Sequence, residues 1–138
     1  MKRTASAKYE GLGKDGKGHI STQSGVLSDS PYGFNTRFES EPGTNPEELI
    51  AAAHAACFTM ALSFALARAG HSDGTLETSA TVTLDKDGDG FTITHSDLVL
   101  TGGVPGLDAA EFKRIAEDAK ANCPVSKVLN AEISLTIE

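Results

Sequence analysis

From Leu49 to Ala67 only His54, Thr59 and Ser63 interrupt a run of apolar residues. A run that long with no polar face predicts a helix buried on most sides. Its start is well marked. Asn45 suits the N-cap, Pro46 brings the fixed φ of a first helical position, and Glu47 and Glu48 place negative charge in the first turn. Glu48 also stands at capping-box spacing from Asn45, and Gly70 is a natural stop. Downstream the period changes. Leu76–Leu84 and Phe91–Leu100 alternate with β-branched residues on either side of an Asp/Gly turn at Asp85–Gly90, which predicts a hairpin. Asp108, with Glu111 three residues on, opens a second helix whose apolar face is Phe112, Ile115, Ala116 and Ala119. That helix should end near Asn122, because Cys123 precedes Pro124 and a residue before proline avoids the α region. Pro124 can open a short helix through Leu129, and Ile133, Leu135 and Ile137 alternate in a terminal strand. Before the long helix, residues 5–40 read as short extended segments joined by turns, with half-buried strands over Ile20–Leu27 and Phe34–Phe38. The element order gives an α+β class with a mostly antiparallel sheet, in a single domain covering 1–138.

Charge and composition narrow the chemistry. The chain has 12 Lys and Arg against 19 Asp and Glu, for a net charge of −7, with 6% aromatics and no Trp. That balance lacks the basic footprint of a nucleic-acid binder. No stretch of transmembrane length is free of polar residues, so no membrane span is expected. The start MKRTASAKYEGLG carries no apolar segment of signal-peptide type, so the expected location is cytoplasmic. Two cysteines are too few for a disulfide scaffold and point to redox chemistry, catalysis or simple burial.

Three motif matches dissolve on inspection. Gly11, Gly13 and Gly16 fit G-x-G-x-x-G but lack the preceding buried strand and following helix that would aim amides at a phosphate. Asp85, Asp87 and Asp89 resemble the opening of an EF-hand loop, yet the twelfth position is Ser96 and both flanks are strands. Cys57, Cys123 and the four histidines show no metal-ligand spacing, so no metal is expected.

The cysteines therefore carry the candidate chemistry. Cys57 sits mid-way along the long apolar helix, where a thiol can equally be a small core hydrophobe. Cys123 stands at the break before Pro124, where it can cap the short helix and where a thiolate would be favoured. His54, three residues before Cys57, can act as a base in a Cys-His pair or be a satisfied core histidine. A thiol with an ordinary pKa of about 8.5 needs a nearby cation or aligned dipole to work at neutral pH. Arg37 offers a cation.

The stretches PYGFNTRFE (31–39), GTNPEELIAAAHAACFTMAL (43–62) and CPVSKVL (123–129) closely resemble the OsmC/Ohr family of thiol-dependent hydroperoxide reductases, on its OsmC branch. The resemblance implies an OsmC-like fold in which antiparallel sheets wrap long central helices in an intertwined homodimer. It also implies that Cys57 is the peroxidatic cysteine and Cys123 the resolving one, that Arg37 holds thiolate and peroxide, and that Glu47 orients Arg37. The substrate would be an organic hydroperoxide and the reductant a dithiol such as a lipoylated protein, with no metal, haem or flavin cofactor. Helical geometry agrees with Glu47 over Glu48: Glu47 lies about 80° from Cys57 around the helix, Glu48 about 180°. The ten-residue separation is a rise of about 15 Å, so the Glu47 serving a given Cys57 is expected from the partner chain. Phe58, Met60, Phe64, Tyr32 and Phe34 suggest an apolar pocket for an organic peroxide. The rival readings are a Cys-His hydrolase or acyl-transfer enzyme built on Cys57 and His54, and a non-catalytic dimeric binding domain.

Overall fold

A computed structural model describes residues 1–138. The elements run β1 (Ala5–Glu10), β2 (Lys17–Thr22), β3 (Ser30–Tyr32), α1 (Phe34–Phe38), α2 (Pro46–Arg68), β4 (Thr75–Asp87), β5 (Gly90–Gly103), α3 (Ala109–Asn122), α4 (Pro124–Val128) and β6 (Glu132–Ile137). They fall into two compact units, Met1–Leu49 and Ile50–Glu138.

In the N-terminal unit β1, β2 and β3 form an antiparallel sheet in chain order. The glycine cluster links β1 to β2. Gly11 and Gly13 take positive φ, and a single 3-10 turn follows at Gly13–Asp15, with the Tyr9 hydroxyl donating to the Gly13 carbonyl at 2.8 Å. The strand expected over Ile20–Leu27 stops at Thr22. Gly25 (φ +78°) reverses the chain there, and Thr22 N–H meets the Leu27 carbonyl across the turn. The expected strand at Phe34–Phe38 is instead the helical turn α1. The spacing of Phe34 and Phe38 satisfies both periods, and here it is used as i, i+4, with ring centroids 5.0 Å apart. The Thr36 hydroxyl accepts from Gly33 N–H at 2.8 Å and closes the start of the turn.

The first turn of α2 belongs to this unit. Asn45 Oδ1 accepts the Glu48 N–H at 2.8 Å, the Asn45 half of the expected capping box.

In the C-terminal unit β4 and β5 form a long hairpin around Gly88 and Asp89, and φ at Gly88 is +60°. The acidic residues that mimic a calcium loop are engaged across the hairpin: Asp87 accepts from Thr92 at 2.7 Å and Asp85 from Thr94 at 2.5 Å. The terminal strand forms as expected. β6 pairs with β5 in parallel, so this sheet, in order β4-β5-β6, is mixed while the other strand pairs are antiparallel. The crossover through α3 and α4 returns the chain to run in the same direction as β5, which a hairpin could not do.

α3 starts as predicted, with the Asp108 carboxylate accepting from Ala110 and Glu111 N–H. Its buried face is Phe112, Ile115, Ala116 and Ala119. These pack in one core with Phe58, Leu62 and Leu66 of α2, Leu98 and Leu100 of β5, and Cys123. Full burial of a side chain such as Phe58 or Leu62 contributes about 1.5–3 kcal/mol each.

α2 departs from expectation. Beyond Glu47 in its first turn, it buries within one chain the i, i+4 stripe His54, Phe58, Leu62 and Leu66, and leaves Met60 61% and Phe64 59% exposed. The helix is also long and apolar enough to cross a membrane by length and composition, its three polar residues notwithstanding. Two of the three polar residues in its apolar run have partners inside the fold, however. Thr59 bonds the Ala55 carbonyl and the Thr78 hydroxyl, and His54 bonds two buried serines.

Candidate active site

Two groups of functional side chains are built separately, one in each unit. In the N-terminal unit, α1 carries Arg37 and the first turn of α2 carries Glu47. Arg37 Nε lies 3.0 and 3.1 Å from the two Glu47 oxygens, and Nη2 lies 2.5 Å from Oε1. A bidentate guanidinium–carboxylate fork of this kind fixes the plane of the arginine as well as its charge. Glu47 is 9% exposed, whereas Glu48 faces solvent. The Arg37 guanidinium also lies 5.3 Å from the Phe38 ring centroid. Beside it is a cavity of about 220 Å³ lined by Tyr9, Tyr32, Phe34, Arg37 and Phe38, mostly apolar with one cation at its wall.

In the C-terminal unit the two sulfurs meet within a single chain. Cys57 on α2 is half-buried and Cys123 is fully buried; both are free thiols, close enough that each shifts the other's ionisation. Cys123 is the N-cap of α4, as the break before Pro124 predicts. Its Sγ accepts the Ser126 N–H at 3.4 Å and lies 3.3 Å from Ser126 Oγ. Burial pushes the Cys57 thiol up; the Val125 N–H offsets part of this, and Cys123 adds to it. Burial acts the same way on Cys123, but the Ser126 hydroxyl and N–H, the Cys57 thiol and the Val125 N–H together bring it below the usual thiol range. Burial thus disfavours the Cys57 thiolate, whereas the donors at the start of α4 favour that of Cys123.

His54 is fully buried with both ring nitrogens engaged: Nδ1 is 2.6 Å from Ser96 Oγ and Nε2 is 2.8 Å from Ser126 Oγ. Desolvation pulls its pKa down, which keeps the ring neutral. With neither nitrogen left for a thiol, the Cys-His hydrolase reading loses its base. Ser96 and Ser126 were not picked out from the sequence. Ser126 had a signal in standing three residues after the N-cap Cys123; Ser96, one polar residue within a strand, had none.

Of the residues expected to line a pocket, Phe58 is fully buried in the core and lines nothing, because its side chain faces β5 and α3. No three His, Cys, Asp or Glu side chains gather into a metal-binding group.

A family model described as OsmC-like protein matches residues 38–138. The chain is 57% identical over 133 residues to Peroxiredoxin OsmC of Escherichia coli (strain K12), covering 96% of this chain and 93% of that protein. Among solved structures it resembles the organic hydroperoxide resistance protein OhrB of Bacillus subtilis, with a TM-score of 0.69, 32% identity and 98% of both chains covered. An organic hydroperoxide resistance protein from Elizabethkingia anophelis superposes with a TM-score of 0.76 at 28% identity, covering 98% of this chain and 95% of that one.

Proposed function

The chain belongs to the OsmC family and is a peroxiredoxin-like, thiol-dependent hydroperoxide reductase, and from that premise we propose how its residues divide the work. Cys57, as thiolate, attacks the outer oxygen of an organic hydroperoxide. The O–O bond breaks, the alkoxide leaves and is protonated to the alcohol, and Cys57 becomes a sulfenic acid. Cys123 then attacks the Cys57 sulfur, displaces the oxygen as water and closes a disulfide. An external dithiol, such as a lipoylated protein, resets the pair.

The observation that carries this reading is the meeting of the two sulfurs at the start of α4 within one chain. Arg37 supplies the cation, and Glu47 holds its guanidinium in the plane that suits a sulfur and a peroxide oxygen. The apolar cavity beside Arg37 gives the organic part of the peroxide a place. Because Glu47 and Cys57 lie about 15 Å apart along one helix, the Arg37–Glu47 pair that serves a given Cys57 comes from a second copy. The exposed apolar residues Met60 and Phe64 on α2 support a homodimer, in which the two units of each chain act as one OsmC-like domain. Two free thiols suit a reducing compartment, so the cytoplasm is the location we assign.

Intact mass before and after one equivalent of an alkyl hydroperoxide tests this directly. Loss of two hydrogens, abolished in Cys123→Ser, is the expected result. Unchanged mass would remove the redox reading and leave a non-catalytic binding domain.

A further inference from the structure

A continuous line of buried polar groups runs from the resolving sulfur into the core. Cys123 Sγ is 3.3 Å from Ser126 Oγ, Ser126 Oγ is 2.8 Å from His54 Nε2, and His54 Nδ1 is 2.6 Å from Ser96 Oγ. These groups come from α4, α2 and β5, and none is more than 9% exposed. An apolar core gains nothing from such a set, since each hydroxyl or ring nitrogen left unpaired costs about 1–3 kcal/mol. The peroxide chemistry assigned to Cys57, Arg37 and Glu47 makes no use of it.

Disulfide closure has a requirement that this line meets. The attacking species is a thiolate, so Cys123 must lose a proton, and its sulfur is fully buried. The groups on that sulfur are the Ser126 and Val125 N–H, which only donate, Cys57, which by this step is the sulfenic acid under attack, and Ser126 Oγ. Apart from the sulfenic oxygen that leaves, Ser126 Oγ is the one acceptor among these groups.

We propose that Ser126 takes the Cys123 proton during disulfide formation and that His54, behind it, positions the hydroxyl and receives the proton. This rests on the peroxide-reducing reading above. Before the step, Cys123 S–H donates to Ser126 Oγ, whose own proton points at His54 Nε2, while Nδ1–H donates to Ser96. As the S–S bond forms, the S–H proton passes to Ser126 Oγ and the Ser126 proton passes to His54 Nε2. The Cys57 S–O bond breaks, and its electron pair leaves with the oxygen. His54 returns its proton through Ser126 to that oxygen, so the sum is sulfenic acid plus thiol giving disulfide plus water. Ser126 is thus a catalytic residue of the second half-reaction, and His54 is a positioning residue that acts through it. Burial keeps the resting ring neutral, so Nε2 is open to the Ser126 O–H. Because burial disfavours the charged ring, the proton is held only in passing and handed back. The Ser126 hydroxyl already favours the Cys123 thiolate.

The test separates two rates in one rapid-quench experiment with stoichiometric cumene hydroperoxide: peroxide consumed and disulfide formed, read by intact mass. Ser126→Ala should slow disulfide formation about a hundredfold relative to peroxide consumption, with Cys57 sulfenic acid trapped by a diketone probe. Ser126→Thr, which keeps the hydroxyl, should restore most of that ratio. His54→Gln can still hydrogen-bond Ser126 but cannot take a proton, and should behave like Ser126→Ala. An unaltered ratio in Ser126→Ala, or equal slowing of both steps in Ser126→Ala and Ser126→Thr alike, would overturn the relay. Absence of disulfide in the unsubstituted protein would instead bring down the peroxidase reading, and the relay with it.

Discussion

Replacing Arg37 by glutamine isolates the charge that the proposed chemistry needs. An amide at that position can still donate to Glu47, so the substitution removes the positive charge more than the contact. With a pKa of about 8.5, an unperturbed thiol is about 3% ionised at pH 7, and burial takes Cys57 lower still. If the guanidinium holds Cys57 fully as thiolate, its loss costs about thirtyfold in rate from ionisation alone. Loss of a charged donor to the peroxide oxygen adds about another tenfold, the equivalent of about 1.4 kcal/mol in the barrier. The expected fall in kcat/KM for an alkyl hydroperoxide is therefore about three hundredfold at pH 7. The shape of the pH profile is more telling than the size of the fall. The unsubstituted enzyme should hold its rate as pH falls from 8 to about 6, because a thiolate beside a cation stays ionised there. Arg37→Gln should gain rate about tenfold per pH unit up to the thiol range, following thiolate formation. The fork is partly exposed, with 35% of the Arg37 side chain accessible, so stability should fall by no more than about 1–2 kcal/mol. Stopped-flow peroxide consumption from pH 5.5 to 9.5, with thermal melts as a folding control, gives all of these quantities. A folded Arg37→Gln enzyme with an unaltered pH profile would refute the reasoning.

Glu47→Gln should loosen the fork and lower kcat/KM about tenfold, whereas the neighbouring Glu48→Gln should lie within about 0.5 kcal/mol of the parent in stability and leave the rate unchanged; paired kinetics and melts check both. Met60→Glu combined with Phe64→Glu should shift the protein toward monomer in sedimentation velocity and abolish turnover, since the pair serving Cys57 would no longer be supplied. His54 should leave a signature in stability against pH. Its native pKa is lowered, so below about 6.5 the unfolded chain binds a proton that the native chain refuses. That contribution is complete above about pH 6.5 and is lost as pH falls toward the native value. Denaturant melts of His54→Gln should lack this slope between pH 7 and 5.

Much of the fold was legible because it is local. Asn45, Pro46 and the acidic first turn start α2, Asp108 starts α3, the Asp/Gly turn closes the long hairpin, and Cys123 before Pro124 ends one helix and caps the next. Each of these depends on a few neighbouring residues and on backbone sterics that hold wherever the segment lies. Glu47 rather than Glu48 came from the family resemblance, with the angular step of a helix in agreement, and it is Glu47 that pairs with Arg37.

What the tertiary structure decided is long-range. The two periods compatible with Phe34 and Phe38 could be separated only by the capping of α1, and the direction of β6 depends on where α3 and α4 deliver the chain. The apolar circumference of α2 records every surface that will ever cover it, and one chain covers a single stripe. Ser96, 42 residues from His54, and Ser126, 72 residues away, became a line to the Cys123 sulfur only on folding. Hydrogen-bond partnership at that separation leaves no period or spacing in the chain, because it is set by which elements pack together and not by what stands beside a residue.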